Sequence, residues 1–220
     1  LGLDIKPYAV GSVSSAPGRG RPGALSTGDL GFDAFYNLTP ALRANLSVNT
    51  DFAETEVDQR LVNLTRFPLF FEEKRDFFLE GSSYFDFSRE QGNSIRPFFS
   101  RRIGLSDGAP QPIDIGSKLT GQLGAFDVGV LHVRTRESQE QAGDAFSVVR
   151  VRRRLGQQSY VGGLYTRRAT LVTEGDVRQT AGIDAAYRTT RLFGDRTIEL
   201  SGFLVNTTNP LGTGESAALG

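Results

Sequence analysis

The sequence predicts an all-β chain, an antiparallel up-and-down meander that forms all or part of a β-barrel. Polar and apolar residues alternate over long stretches, and short glycine-containing turns separate those stretches. Outside residues 51–103, no segment has helical periodicity over the length of an ordinary helix. The 220 residues include 26 glycines and 16 phenylalanines, a composition that suits many strands and turns.

The clearest strand spans residues 42–52. Leu42, Leu46 and Phe52 share one face, while Arg43 and Asn45 belong to the opposite, fully polar face. Its eleven residues match the roughly 9–11 that a membrane-crossing strand needs, whereas strands of globular proteins usually have about 5 or 6. Residues 30–36 alternate in the same way and precede a turn at 37–40. Together these two segments predict a hairpin long enough to cross a bilayer.

The second half of the chain repeats this pattern and brings the predicted total to roughly ten strands. The segments are 114–124, 126–137, 144–155, 159–172, 183–190 and 198–205. Charged residues of one parity would line the lumen of a barrel, or face solvent in a soluble sandwich. The candidate inward-facing residues are Arg43, Asp51, Arg150, Arg152, Arg154, Asp184 and Arg188.

Residues 51–103 break the alternation. Phenylalanines near helical spacing surround a charged block at 72–76, which predicts a short helix that packs its rings inward. Pairing within the charged block would let these groups lie where water is scarce. We therefore predict an irregular, short-helical insert that acts as a plug or constriction within a single barrel region, 1–220, of a longer protein. The candidate residues are Phe70, Phe71, Glu73, Lys74, Arg75, Asp76, Phe77 and Phe78.

Residues 49–58, 62–81 and 97–104 closely resemble the signature of a bacterial outer-membrane family. Its members are labelled carbohydrate-binding-family-9 domain-containing proteins, and their C-terminal region is catalogued as domain of unknown function 5916. The resemblance implies a β-sandwich related to sugar-binding modules, followed by a barrel in the bacterial outer membrane. This chain resembles the beginning of that barrel region. No catalytic residue is established for the family.

The predicted function is an outer-membrane conduit or scaffold for polar solutes such as saccharides, with the lipid bilayer as partner and without catalysis. Basic and acidic residues number 25 each, so net charge gives no reason to expect a nucleic-acid partner. Three alternatives remain open: a soluble or surface β-sandwich that binds glycans, a glycoside hydrolase-associated domain with paired carboxylates, and a sheet completed by a partner chain.

Four carboxylates within eight residues form a candidate metal site for Ca²⁺, a hard cation that takes oxygen ligands. They are Asp51, Glu54, Glu56 and Asp58. The alternative is a polar rim of the barrel, or a cluster paired with arginines. No other cofactor is expected, and the absence of cysteine removes thiolate metal sites and disulfides.

Overall fold

The computed structural model describes residues 2–14, 25–50, 73–88, 96–106, 109–137, 142–172, 176–192, 196–209 and 212–218. The strands in these ranges are β1 (Leu3–Ser14), β2 (Leu25–Thr39), β3 (Leu42–Thr50), β4 (Leu105–Ser106), β5 (Ala109–Pro110), β6 (Ile113–Leu123), β7 (Phe126–Thr135), β8 (Asp144–Leu155), β9 (Ser159–Thr170), β10 (Val177–Leu192), β11 (Arg196–Asn209) and β12 (Gly212–Ala218). One α-helical turn, α1 (Asp76–Leu79), and 3-10 turns at Ser82–Phe85 and Ser100–Arg102 interrupt them. Within the described residues, no helix has the length and apolar character needed to cross a membrane.

Ten strands form one sheet in the order β1-β2-β3-β6-β7-β8-β9-β10-β11-β12, and every neighbouring pair is antiparallel. The predicted all-β meander is therefore confirmed. The sheet is open, with β1 and β12 as its edges, so closure into a barrel stays a prediction. The small pair β4–β5 forms a separate sheet.

Strands β6 to β9 match their predicted segments to within two residues at each end. The edge strands β1 and β12 were not predicted. Strand β1 alternates apolar and polar residues, but Pro7 and Gly11 weaken its strand signal, and strand β12 is made largely of small residues. Pairing with β2 and with β11 supports these two strands in the sheet.

The two faces of the large sheet differ sharply, as the side-chain parity predicted. On β3, Asn45 is 3% exposed whereas its neighbour Leu46 is 37% exposed. We call the face that holds Asn45 the inner face and the one that holds Leu46 the outer face. The outer face leaves many large apolar side chains uncovered; among them are Leu30, Leu123, Val161, Ile183, Tyr187, Leu200 and Leu204.

The inner face is covered by the inner segment, which we define as described residues 73–88 and 96–104. It supplies Phe77, Phe78, Phe85 and Phe87 to the hydrophobic core, where they meet apolar side chains of β6 to β9 and β11. The predicted short-helical insert is thus present as α1 and the two 3-10 turns. Phe70 and Phe71 lie outside the described residues.

The inner segment crosses the inner face from β3 to β11. Glu80 accepts a hydrogen bond from Asn45 on β3, while the ring of Phe87 lies 6.0 Å from that of Phe203 on β11. Six strand spacings separate β3 from β11 in the sheet. Residues 80–87 therefore extend along the inner face from one of these strands toward the other.

The band of exposed apolar side chains crosses the strands obliquely. It is centred on Ala34 in β2, between Leu30 and Leu38, and on Gly202 in β11, between Leu200 and Leu204. Strand register aligns Ala34 with Thr208, through Leu46, Ser117, His132, Ser147, Arg167 and Gln179. The band thus moves by about six residues, or about 20 Å, over seven strand spacings of about 4.8 Å each. The strands are therefore tilted by about 30° away from the direction that is perpendicular to the band.

Connections at the two ends of the sheet differ in length. At one end, residues 40–41, 124–125, 156–158 and 193–195 join β2–β3, β6–β7, β8–β9 and β10–β11. At the other end, β1–β2, β3–β6, β7–β8 and β9–β10 are joined by longer connections, the longest being 51–112, although β11–β12 is short. The inner segment belongs to that longest connection. It therefore reaches the inner face from the end of the sheet with the longer connections, which we call the long-loop end.

Candidate functional site on the inner face

Three phenylalanines of the inner segment lie against glycines on three different strands. A Cβ atom added at Gly116 of β6 would be 2.9 Å from the ring of Phe77, and one at Gly182 of β10 would be 2.9 Å from the ring of Phe87. At Gly129 of β7 the corresponding distance to Phe85 is 3.0 Å. Real Cβ atoms almost never come this close to another atom. Each ring can therefore lie where it does because the glycine beneath it has no side chain.

A buried ion pair fixes the second half of the inner segment to β8 and β10. Arg150 donates two hydrogen bonds, of 2.6 and 2.8 Å, to the carboxylate of Asp184, and both side chains are 1% exposed. The backbone N–H of Ser88 donates to the same carboxylate at 2.9 Å, and Arg150 Nε donates to the carbonyl of Asp86 at 3.1 Å. Tyr160 also donates to Asp184, at 3.2 Å. Strands and segment therefore share one satisfied charge pair.

Polar side chains of β3 and β6 hold the first half of the inner segment. Glu80 pairs with Arg43 and accepts a 2.6 Å hydrogen bond from Asn45 Nδ2. Lys118 is 3% exposed and its Nζ donates to the carbonyls of Phe77 and Glu80. The same ammonium lies 5.1 Å from the centre of the Phe77 ring. These contacts satisfy the carbonyl of Phe77 within α1 and that of Glu80, the residue that follows the helix.

Glu73 and Arg75 form a clasp within the inner segment. Arg75 donates to both carboxylate oxygens of Glu73 at 2.7 Å, to the carbonyl of Ile103 at 2.6 Å and to that of Ser100 at 2.8 Å. Ser100 Oγ donates to Glu73 at 2.7 Å. Burial acts to raise the pKa of Glu73, but the charge and hydrogen bonds of Arg75 and the Ser100 hydroxyl outweigh it and lower that pKa. The clasp joins residues 73–75 to 100–103.

The remaining plug candidates are outside this clasp. Lys74 and Asp76 are exposed, and Asp76 begins α1. Phe77 and Phe78 are buried and their rings meet edge to face, with centres 5.0 Å apart. The predicted pairing within the charged block is thus realised by Glu73 and Arg75.

The predicted inward-facing arginines share the inner face but differ in burial. Arg150 is fully buried, Arg152 pairs with Asp127 at 2.9 Å, and the side chain of Arg154 is 40% exposed with its Nε 3.5 Å from Asp127. Arg188 lies 3.5 Å from Glu199 and is also exposed. The inward-facing arginines are thus more exposed toward the end of the sheet that has the short connections. Asp51 lies outside the described residues.

A cavity of about 370 Å³ lies between the two halves of the inner segment and is bordered by Lys118 and Leu131 of the sheet. Phe78, Phe85, Phe87 and Phe98 supply aromatic walls, and charged groups reach it from both sides. Its charged lining residues are Asp86, Arg96 and Lys118. A volume of this size with aromatic walls and a few polar groups is typical of a small-molecule pocket.

The candidate calcium ligands Asp51, Glu54, Glu56 and Asp58 lie outside the described residues. In the part of the chain that the structure does describe, no group of three His, Cys, Asp or Glu residues could hold a metal ion.

Several residues of the site were not predicted. Asn45 is predicted to lie on the polar face of its strand but without a partner, Lys118 and Glu80 are isolated polar residues in sequence, and the three glycines have no local turn to explain them. A glycine at an inward position of a strand is itself a signal, because it indicates a close approach by another part of the chain. Lys118 is one of three lysines beside 22 arginines.

Comparison with known proteins gives one family and no individual relative. The family model described as Domain of unknown function (DUF5916) matches residues 1–116, from β1 through the inner segment to the beginning of β6. No curated protein and no solved structure matches the chain. The matched region includes Glu73, Arg75, Phe77 and Gly116, the residues that bind the inner segment to itself and to the sheet. The chain belongs to the DUF5916 family.

Proposed function

We propose that this chain is part of a bacterial outer-membrane β-barrel in which the inner segment narrows a polar conduit. The observation that carries the proposal is the contrast between the two faces of one sheet. The outer face exposes apolar side chains such as Leu30, at 74%, and Leu200, at 64%, while the inner face buries paired charges. This contrast suits a sheet with lipid on one side and an aqueous interior on the other.

The oblique apolar band supports the same proposal. A membrane is flat, so strands that are tilted in a barrel meet its two surfaces at a register that shifts from strand to strand. A shift of about one residue per strand corresponds to a tilt of about 30–35°, close to the roughly 35–45° of membrane barrels. The displacement between Ala34 and Gly202 has this size.

Connection lengths support an orientation. Outer-membrane barrels have short periplasmic turns and longer extracellular loops. The end that carries residues 40–41, 124–125 and 156–158 would then face the periplasm. The inner segment would enter from the cell exterior and narrow the interior across β3 to β11.

The rival proposal of a soluble β-sandwich has less support. A sandwich requires a second sheet packed over the strand face that holds Leu42, Leu46 and Val48. Among the described residues, Leu46 remains 37% exposed and Leu42 and Val48 are half-buried, without a second sheet packed on them.

The transported solutes are proposed to be small and polar, such as saccharides. The cavity beside Phe85 and Phe98 has aromatic faces on which a sugar ring could stack, and the polar side chains of Asp86 and Arg96 also line it. Glycoside hydrolysis needs a pair of carboxyl groups beside the sugar, and the buried carboxylate Asp184 is instead paired with Arg150.

Liposome swelling tests the proposal with the full-length protein. Vesicles containing the unaltered protein should admit monosaccharides slowly. The Gly129→Leu variant, in which the new side chain would displace Phe85, should admit them several-fold faster. Gly202→Leu is the matched control, because nothing lies within 4 Å of a Cβ atom there. Equal, negligible swelling in all three vesicle samples, with the protein inserted, would rule out a conduit.

A further inference from the structure

Arginines on the inner face of the sheet form ion pairs, whereas two arginines on the outer face do not. Inward-facing Arg43, Arg150, Arg152, Arg168 and Arg188 each lie within 4 Å of a carboxylate. On the outer face, Arg134 and Arg167 make no ion pair or hydrogen bond through their side chains with any residue that the structure describes. A guanidinium that the protein leaves without an anion is free to bind one from outside.

These two arginines surround a small polar cluster. Register places His132 of β7, Ser147 of β8 and Arg167 of β9 side by side, and His132 Nδ1 lies 3.0 Å from Ser147 Oγ. Arg134 follows His132 on the same face of β7. From strand spacing and rise, the Cα atoms of Arg134 and Arg167 are about 12 Å apart. Side chains of this length can converge on one anion between them.

The cluster borders the apolar band. On β7 the outward residues Phe126, Val128 and Val130 come immediately before His132, and on β9 Val161 and Tyr165 come before Arg167. The cluster is therefore on the side of the band that faces the long-loop end of the sheet. An anion bound here would have apolar surface directly beside it, as the phosphate of a lipid has its acyl chains beside it.

We infer that His132, Arg134 and Arg167 bind the phosphate of a lipid headgroup at the long-loop edge of the apolar band. The inference rests on the proposed membrane location. Arginine pairs with phosphate through two parallel hydrogen bonds, and the hydrogen-bonded His132 and Ser147 lie beside the two arginines. The apolar rows through Val130 and Tyr165 accept the acyl chains, which distinguishes a lipid from free phosphate. Arg153, near the other edge of the band, has Phe126 beside it and no comparable cluster.

The test uses the full-length protein in phosphatidylcholine nanodiscs that contain increasing amounts of phosphatidylglycerol. Native mass spectrometry counts the phosphatidylglycerol molecules retained and gives their apparent affinity. A cation near a membrane surface contributes about fivefold in affinity for an anionic lipid. The double variant Arg134→Gln/Arg167→Gln should therefore weaken the tightest phosphatidylglycerol site by about tenfold or more. The affinity of the Arg134→Lys/Arg167→Lys variant for phosphatidylglycerol should lie between those of the unaltered protein and the Gln double variant. Lysine keeps the charge but cannot form the two parallel hydrogen bonds of arginine.

Arg153→Gln is the matched control and should leave the tightest site unchanged. Membrane insertion is measured separately, by quenching of Leu46→Trp fluorescence with brominated acyl chains. Insertion with unchanged phosphatidylglycerol affinity in the double variant would overturn the inference and leave the proposed function intact. Competition by millimolar inorganic phosphate would overturn the lipid assignment. Failure of Leu46→Trp to be quenched would overturn the proposed function and the lipid site together.

Discussion

The inner and outer faces of this sheet are formed by the same strands but differ in the pairing and exposure of their side chains. Inside, Arg150 and Asp184 are both 1% exposed and fully paired, and Glu73 is clasped by Arg75. Outside, Leu46 and Leu204 are exposed and Arg134 has no described partner. The difference indicates that water is scarce beside the inner segment, where a charge needs a protein partner. Beside the outer face the surroundings must accommodate apolar side chains.

The largest effect should come from removing one partner of the buried pair. Asp184→Ala leaves Arg150 buried without an anion, which typically costs about 3–5 kcal/mol. Urea unfolding of the full-length protein in lipid vesicles measures the loss. The double variant Arg150→Met/Asp184→Leu should recover part of it, because it removes both charges but leaves the Ser88 N–H and the Asp86 carbonyl without their partners. A loss below about 1 kcal/mol for Asp184→Ala would mean that water reaches this pair.

The glycine contacts should give the next largest effect. Gly182→Val would clash with the ring of Phe87, and overpacking of this kind costs about 1–3 kcal/mol. The displaced segment should expose Arg75 and Arg101 to trypsin, so the rate of cleavage there should rise. Gly202→Val, on the outer face, should leave cleavage at the wild-type rate. Equal cleavage of both variants would show that Phe87 is not held by Gly182.

Acid should loosen the Glu73 clasp. Because the folded protein lowers the pKa of Glu73 below its ordinary value of 4.5, the carboxylate stabilises the fold above that pH. This contribution should disappear as the pH falls through the lowered pKa. Unfolding free energy measured between pH 6 and pH 3 should therefore fall less in Glu73→Gln than in the unaltered protein. Parallel pH profiles for the two proteins would contradict the clasp.

The smallest effect should come from the open end of the arginine row. Arg188 and Glu199 are both more than one third exposed, and their charges are 3.5 Å apart. Surface pairs of this kind contribute about 0–1 kcal/mol. Arg188→Gln should thus change the unfolding free energy by less than about 1 kcal/mol, and added salt should remove the difference. A loss comparable with that of Asp184→Ala would place Arg188 in a dry interior.

Side-chain parity made the meander and its two faces predictable from sequence. Arg150 and Asp184 could be assigned to one face because strands alternate with period two, yet nothing local indicates that they pair across β9. Pairing within residues 72–76 could be predicted because they form one charged block, but nothing in the sequence singles out Glu73 and Arg75 as the partners. Lys118 and Gly182 could not be assigned roles, since their partners Phe77 and Phe87 are 41 and 95 residues away in sequence and come together only through strand register.

A pair of single-tryptophan variants measures most directly which face meets lipid, because the chain has no tryptophan of its own. Leu46→Trp places the probe on the outer face, and Arg154→Trp places it on the open part of the inner face. In vesicles of the full-length protein, with any tryptophan outside this chain replaced by phenylalanine, we predict that brominated acyl chains quench Leu46→Trp, and that aqueous iodide quenches Arg154→Trp. Quenching of Leu46→Trp by iodide, with no effect of the brominated lipid, would contradict the membrane assignment.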